Sequence, residues 1–409
     1  MRRARRLLLG LLIIGSVGSL SPAARAAGAP RPETITCGEP IDHSITVTND
    51  LFECPGDGIV SAADGIVIDL AGHEIGGKGS GTGFNNTNSH VTLKNGTITG
   101  FYQGIVLGGG LGNVVRNVHS TSNGYDGLVL VGSSDVIRDS TFTENGFHGV
   151  TICGDSNRLT RNSATLNTHI GYWLDCSGSS LSANNNSFTS NIADDNGSNG
   201  IQINGDVNNP VRGTKLRLNK ASANGYSGIS LEGSLDNTVS HNTASSNTKS
   251  GIAGTGGITG ALTYNRTTGN TERGIYVSAS SDLHVIGNTV ARNGEDGMLF
   301  DAGSNNNVVR YNKSSGNALA GISVTNSSTG NTVTSNSAVH NGFHGIFSDT
   351  SDLTIKRNRT NNNGFFAGTA DGTGLGIDVP AGTINSANRA AHNDDPHQCQ
   401  ASDVNCYRA

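Results

Sequence analysis

Arg273, Asp296, Asp301, His344 and Asp349 lie far apart in the chain, yet each stands at a fixed short offset from a recurring glycine. Together they supply carboxylates, a guanidinium and an imidazole, the side chains that general acid–base chemistry draws on. Lys249 and Glu272 fall in the same columns. A second set, Asp126, His148, His169, Trp173 and Asp175, mixes polar groups with the only tryptophan, and Tyr125 and Phe147 stand beside it. An outward Trp173, with Tyr276 in the same register, is a plausible stacking platform for a ligand ring; packing under a longer loop is the competing use. Neither set means anything unless the chain brings equal offsets together.

The repeat does that. Gly104, Gly127, Gly149, Gly171, Gly200, Gly228, Gly251, Gly274, Gly297, Gly321 and Gly345 recur at intervals of 22 to 24 residues, with two longer gaps, and in ten of the eleven cases an Asn stands four places earlier. A fixed period with one residue type in register is the sign of a solenoid. Gly, Asn, Ser and Thr are poor helix formers and no 3.6-residue apolar stripe appears. Alternation such as Gly228-Ile-Ser-Leu231 and Gly274-Ile-Tyr-Val277 instead predicts short strands with one buried face. Two or three such strands per period make one coil of a parallel β-helix, and about a dozen coils rising ~4.8 Å each give a rod of about 55 to 60 Å. The pairs of asparagines, from Asn162 and Asn167 to Asn358 and Asn363, are expected to bond to their equivalents in the next coil and to occupy left-handed turns. The repeat glycines are likewise read as turn residues. Stacking also puts the outward columns in solvent: Asp126, His148, Arg273, Asp296 and His344 one place before the glycine, with Arg273 within ion-pair distance of Asp296.

Gly accounts for 58 of 409 residues, with hydrophobic residues at 34% and aromatic ones at 5%, which suits a narrow coil core and not a wide globular one. Arg2, Arg3, Arg5 and Arg6 precede an apolar run from Leu7 to Leu20, and Ala24-Arg-Ala26 has the form of a signal-peptidase site, so residues 1–26 read as an export signal. No other stretch suffices for a membrane span. Loss of that segment takes the formal charge from −5 to −10, which disfavours nucleic acid or another polyanion as a partner by charge alone. Six cysteines in an exported chain predict three disulfides, Cys37–Cys54, Cys153–Cys176 and Cys399–Cys406. The middle pair tests the stacking, because the two cysteines fall at nearly the same place in successive coils. Residues 33–85 are expected to form an N-terminal cap and the first coils, 86–365 the regular coils, and 366–409 a C-terminal cap.

On the Asn-x-x-x-Gly-Ile repeats and the segment Ile66-Val-Ile-Asp69-Leu-Ala-Gly72-His73, the chain resembles the right-handed parallel β-helix proteins, the pectate-lyase-like superfamily that includes polygalacturonases, alginate epimerases and NosD-like periplasmic proteins. The resemblance implies an all-β, right-handed single-chain solenoid. It further implies a secreted or periplasmic protein that binds polysaccharide along one exposed sheet and cleaves or epimerises it, as a lyase, hydrolase or epimerase. Catalysis would then fall to Asp296, Asp301, Arg273, His344 and Asp349, and substrate binding to Trp173, Asp175, His148, Asp126 and Tyr276. Asp301 and Asp349, two coils apart, would be separated by about 10 Å, at the upper edge of the inverting-glycosidase range. No cofactor or metal site is identified, and Ca2+ enters only if the glycan is acidic. The paired aspartates and Arg-Ile-Lys of polygalacturonases are missing, and Asp395-Pro396-His397 matches part of an epimerase motif but ends in Gln398. A non-catalytic structural or adhesive surface protein, and a NosD-like assembly factor, are the alternatives.

Overall fold

The computed structural model describes residues 29–176, 181–205, 209–364, 374–381, 383–394, 399–400 and 406–407. Each period folds as the apolar alternation requires. In one coil, strands Ile229–Glu232, Asn237–Ser240 and Thr243–Ser245 follow one another, and the next coil repeats them as Ile252–Thr255, Gly260–Thr263 and Arg266–Thr268. Each strand pairs in parallel with its equivalent, Ile229 opposite Ile252 and Thr243 opposite Arg266. The chain is therefore a parallel β-helix. The strands that follow the repeat glycines stack into one sheet of 16, so the coil pattern extends beyond the regular dozen at both ends. Its inward side chains, such as Ile229, Leu231, Ile275 and Val277, are buried and form one continuous core column.

Two asparagine columns run through this core. In the second, the amide of Asn247 and its side chain both donate to Asn270 Oδ1 at 3.0 and 2.9 Å, and Asn270 repeats the same pair of bonds to Asn293 at 3.1 and 2.9 Å. Each side-chain NH2 also donates back to a carbonyl of the preceding coil, Asn270 to Ala244 at 3.2 Å. The ladder expected from the sequence is present.

Two details differ from expectation. The left-handed residue of each turn is not the ladder asparagine but the residue before it, for example Leu218, Tyr264 and Tyr311 at φ 58°, 54° and 58°. Asn itself turns inward, where its amide is satisfied. The repeat glycines are not left-handed turn residues either. A Cβ on Gly251 would stand 2.8 Å from Asn270 Nδ2 and 2.8 Å from the carbonyl of Gly274, so glycine is required for close approach beneath the ladder.

Cys153 and Cys176 form a disulfide between neighbouring coils with Cα atoms 5.1 Å apart, and Cys37 and Cys54 form another at 5.4 Å. The side chains of Cys399 and Cys406 lie outside the described residues. So do residues 1–26 and the Asp395-Pro396-His397-Gln398 segment. Among the described residues no helix is long and apolar enough to cross a membrane.

Replacing Asn270 by Ala removes two donors and leaves the buried main-chain and side-chain N–H groups of Asn247 without an acceptor. Unfolding in urea should show a loss of about 3 kcal/mol or more, and Asn270→Asp should be comparably harmful because a carboxylate cannot donate to Asn293. A loss below about 1 kcal/mol would show that the ladder does not carry the stacking.

Candidate functional site

The strands after the repeat glycines present two outward positions per coil. Strand register puts the first of these in one line: Thr151, Trp173, Gln202, Ser230, Ala253, Tyr276 and Leu299. Trp173 and Tyr276 are large, and the three residues between them are smaller. The sheet floor therefore drops between two aromatic rings separated by four strand spacings, roughly 19 Å. The result is a depression of about 330 Å³ whose floor includes Gln202, Ser230 and Ala253 and whose walls include Asn199, Tyr226, Lys249, Glu272, Arg273, Glu232 and Thr255.

Charges on one rim are compensated. Lys249 Nζ lies 2.5 Å from Glu272 and 5.9 Å from the centre of the Tyr226 ring. Arg273 bonds Glu295 at 2.7 Å, approaches Glu272 at 3.5 Å and stacks over Tyr276 at 4.9 Å from the ring centre. The expected ion pair of Arg273 with Asp296 does not form. Asp296 is turned toward the next coil, where it accepts the Ser323 hydroxyl at 2.8 Å and the Ala320 N–H at 3.1 Å.

That behaviour recurs and corrects the reading of the whole column. Where the residue before the repeat glycine is Asp, Asn or His, its side chain turns from solvent and accepts the N–H of its equivalent one coil on. Asp126 takes the His148 N–H at 3.0 Å, His148 Nδ1 that of Ile170 at 3.2 Å, Asn199 that of Ser227 at 2.9 Å and His344 Nδ1 that of Leu375 at 3.1 Å. Asp126, His148 and His344 are all buried. Burial pushes the Asp126 carboxyl up to about 6, opposed by its bonds from His148 and the Thr151 hydroxyl. Burial, with the neighbouring His169, drives the His148 imidazole down to about 3. The Asp296 carboxyl is raised for the same cause.

The structure does gather the first set. Rings of Tyr102, Tyr125, Phe147 and His169 stack on consecutive coils at 5.3, 4.6 and 4.9 Å, and His148 lies 4.6 Å from Trp173. Half-buried Trp173 stands at the end of this aromatic strip, one coil before Gln202 of the depression floor and outside the lining residues themselves. Asp175 is one outward position further along and accepts from Asn204 at 3.2 Å. The second set is spread out. Arg273 and Tyr276 line the depression. Asp301 and Asp349 sit on a neighbouring edge, both bonded to Asn326, at 2.5 Å and 3.1 Å, while His344 lies 3.4 Å from Asp378. Among the described residues no group of three or more His, Cys, Asp or Glu is placed to hold a metal ion, so none is assigned to calcium. Asn199, Gln202, Ser230, Ala253 and Thr255 were not picked out by their chemistry. Their signal is a run of small or amide side chains between two aromatics at the same offset. The two longer coils carry their extra residues after Asp175 and Asn204 in the sequence, and residues 177–180 and 206–208 are outside the described set.

The family described as a right-handed beta-helix region matches residues 42–188, 80–222 and 176–338. No curated protein matches the sequence. Among solved structures, the A-module of mannuronan C-5 epimerase AlgE4 from Azotobacter vinelandii is similar over 79% of this chain and 87% of its own, at 14% identity and a TM-score of 0.51. The periplasmic alginate epimerase AlgG is similar over 79% and 77%, at 14% identity and a TM-score of 0.41. The tailspike gp49 of Acinetobacter baumannii bacteriophage Fri1, a capsular polysaccharide depolymerase, is similar over 63% and 53%, at 10% identity and a TM-score of 0.43. At these identities the likeness concerns the fold.

The raised Asp126 carboxyl has a measurable consequence. Between its unfolded value of 3.8 and its folded value of about 6 the folded state holds the extra proton, so stability from this group is complete below pH 4 and is lost as pH rises through 6. Asp126→Asn keeps the acceptor for His148 but does not titrate. Relative to wild type, it should gain about 3 kcal/mol between pH 4 and pH 7 in chemical denaturation. A difference that does not change with pH would contradict the assignment.

Proposed function

This chain belongs to the right-handed β-helix family, and we propose that it binds a polysaccharide along the depression between Trp173 and Tyr276. The observation that carries this reading is the line of small side chains between Trp173 and Tyr276 on one sheet, which forms the floor of the depression that Tyr276 borders. Pyranose rings present apolar faces that stack on aromatics and hydroxyls that need both donors and acceptors. Gln202, Asn199, Ser230, Thr255 and Glu232 line the space between the rings with such groups. The paired charges of Lys249, Glu272, Arg273 and Glu295 leave little net field there, which suits a ligand recognised by hydroxyls.

Binding is favoured over turnover as the primary role. Of the residues with acid–base chemistry, Arg273 lines the depression, while Asp296, Asp301, His344 and Asp349 already have bonding partners in the fold. Cleavage or epimerisation would have to draw on Arg273 together with a carboxylate of the rim, Glu272 or Glu232. A secreted or periplasmic setting fits a polysaccharide ligand.

Calorimetric titration with a panel of neutral oligosaccharides tests the proposal. At least one should bind, and Trp173→Ala or Tyr276→Ala should each weaken it about tenfold or more, as removal of a stacking ring does, with Ser246→Ala, in the turn before the second asparagine ladder, serving as the unaffected control. Binding that ignores both ring substitutions, or no binding by the folded protein, would reject the groove as a glycan site.

A further inference from the structure

The chain carries 32 acidic against 27 basic residues, five of the latter within residues 1–26, yet its charge is not mixed evenly over the rod. Nine of the remaining 22 lysines and arginines stand on one corner, on either side of the turn at the first asparagine ladder and on a different side of the coil from the groove. Lys215, Arg217 and Lys220 crowd one coil, with Arg310 and Lys313 four coils on. Lys356, Arg357, Arg359 and Arg389 close the row. All but the half-buried Lys356 are exposed. From Lys215 onward, the outward positions of this corner hold no Asp or Glu. Among the described residues only Lys220 of these nine forms an ion pair, with Asp194 of the preceding coil.

Large apolar faces are interleaved with the cations. Tyr264 and Tyr311 are 58% and 60% exposed, and both hold the left-handed backbone that non-glycine residues rarely adopt. The Tyr264 ring packs between the His241 ring, 5.2 Å away, and Gly287, where a Cβ would meet it at 2.5 Å, and Arg310 covers Tyr311 at 5.6 Å from the ring centre. A turn that Gly or Asn would occupy without strain instead holds exposed rings between cations.

We infer that this corner is a second binding surface, for an acidic polysaccharide lying along the rod with its carboxylates against Lys215, Arg217, Arg310, Lys313, Arg357 and Arg359. With exposed Arg266 counted, these cations stand on every second coil from Lys215 to Arg359, roughly 10 Å apart and close to the advance of two sugars in an extended chain, and the exposed tyrosine hydroxyls add hydrogen-bonding groups between them. The remaining surface is strongly acidic and repels the same polymer, so the ridge is where a polyanion would be steered. This surface is separate from the groove and stands whether or not the groove binds a glycan. It also revises the expectation from net charge alone, which made a polyanion an unfavourable partner.

Fluorescence anisotropy of the full chain with a labelled polygalacturonate oligomer tests it. Wild type should bind and lose affinity about tenfold or more between low and near-physiological salt. The combined variant Arg310→Gln, Lys313→Gln, Arg357→Gln and Arg359→Gln should lose about tenfold or more at low salt. The charge-keeping set Arg310→Lys, Lys313→Arg, Arg357→Lys and Arg359→Lys should stay near wild type, as should Trp173→Ala. The proposal is overturned if the glutamine variant, folded by circular dichroism, binds like wild type, or if Trp173→Ala abolishes binding. It is equally overturned if a single-stranded oligonucleotide or an anionic lipid vesicle binds more tightly than the oligomer at matched charge.

Discussion

A buried asparagine amide, repeated once per coil, is the constraint on which the rest of this structure depends. An amide inside an apolar core is tolerated only when its donors and acceptor are all engaged. Here the partners are the same amide one coil on and a carbonyl one coil back, so the requirement can be met only if the coils stack in register. Asn247, Asn270 and Asn293 show the arrangement, and the glycine beneath each side chain, such as Gly251, leaves room for it. Stability and register thus come from the same group. Apolar packing of Ile229, Leu231 and their equivalents adds the bulk of the burial and resists a one-residue slip, but a slip of two residues would keep the same face inward.

Once register is set from inside, the outward positions are free to differ from coil to coil, and the chain uses two sides of the rod differently. On the sheet after the repeat glycines, a fall in side-chain size between Trp173 and Tyr276 makes a groove whose rim charges cancel. On the corner before the first ladder, cations accumulate around Tyr264 and Tyr311 without nearby carboxylates. Neither feature affects the core. Function on such a scaffold is written in size and charge along columns, and a change in one column leaves the others in place.

That division also explains what could be read from sequence. The coil, the ladder and the Cys153–Cys176 bridge were legible because each is a statement about period, and the period is almost unbroken from Asn123 to Asn363. The column before the repeat glycine was misread because polar side chains there resemble surface chemistry. Asp126, His148 and Asp296 instead satisfy a main-chain N–H of the next coil, which requires the turn geometry to see. The same turn sends Arg273 to Glu295 in place of Asp296. The groove was hard to find for the opposite reason. Ser230 and Ala253 carry no conspicuous chemistry, and what they contribute is the absence of bulk between two rings.

Trp173 is the only tryptophan and stands at one end of the groove, so its emission reports on occupancy without a label. Titrating the protein with an oligosaccharide long enough to span from Trp173 to Tyr276 should give a saturable shift or quench of that emission, with an affinity equal to that measured by heat. Emission that stays constant while calorimetry registers binding would place the glycan elsewhere on the rod and contradict the account of the groove.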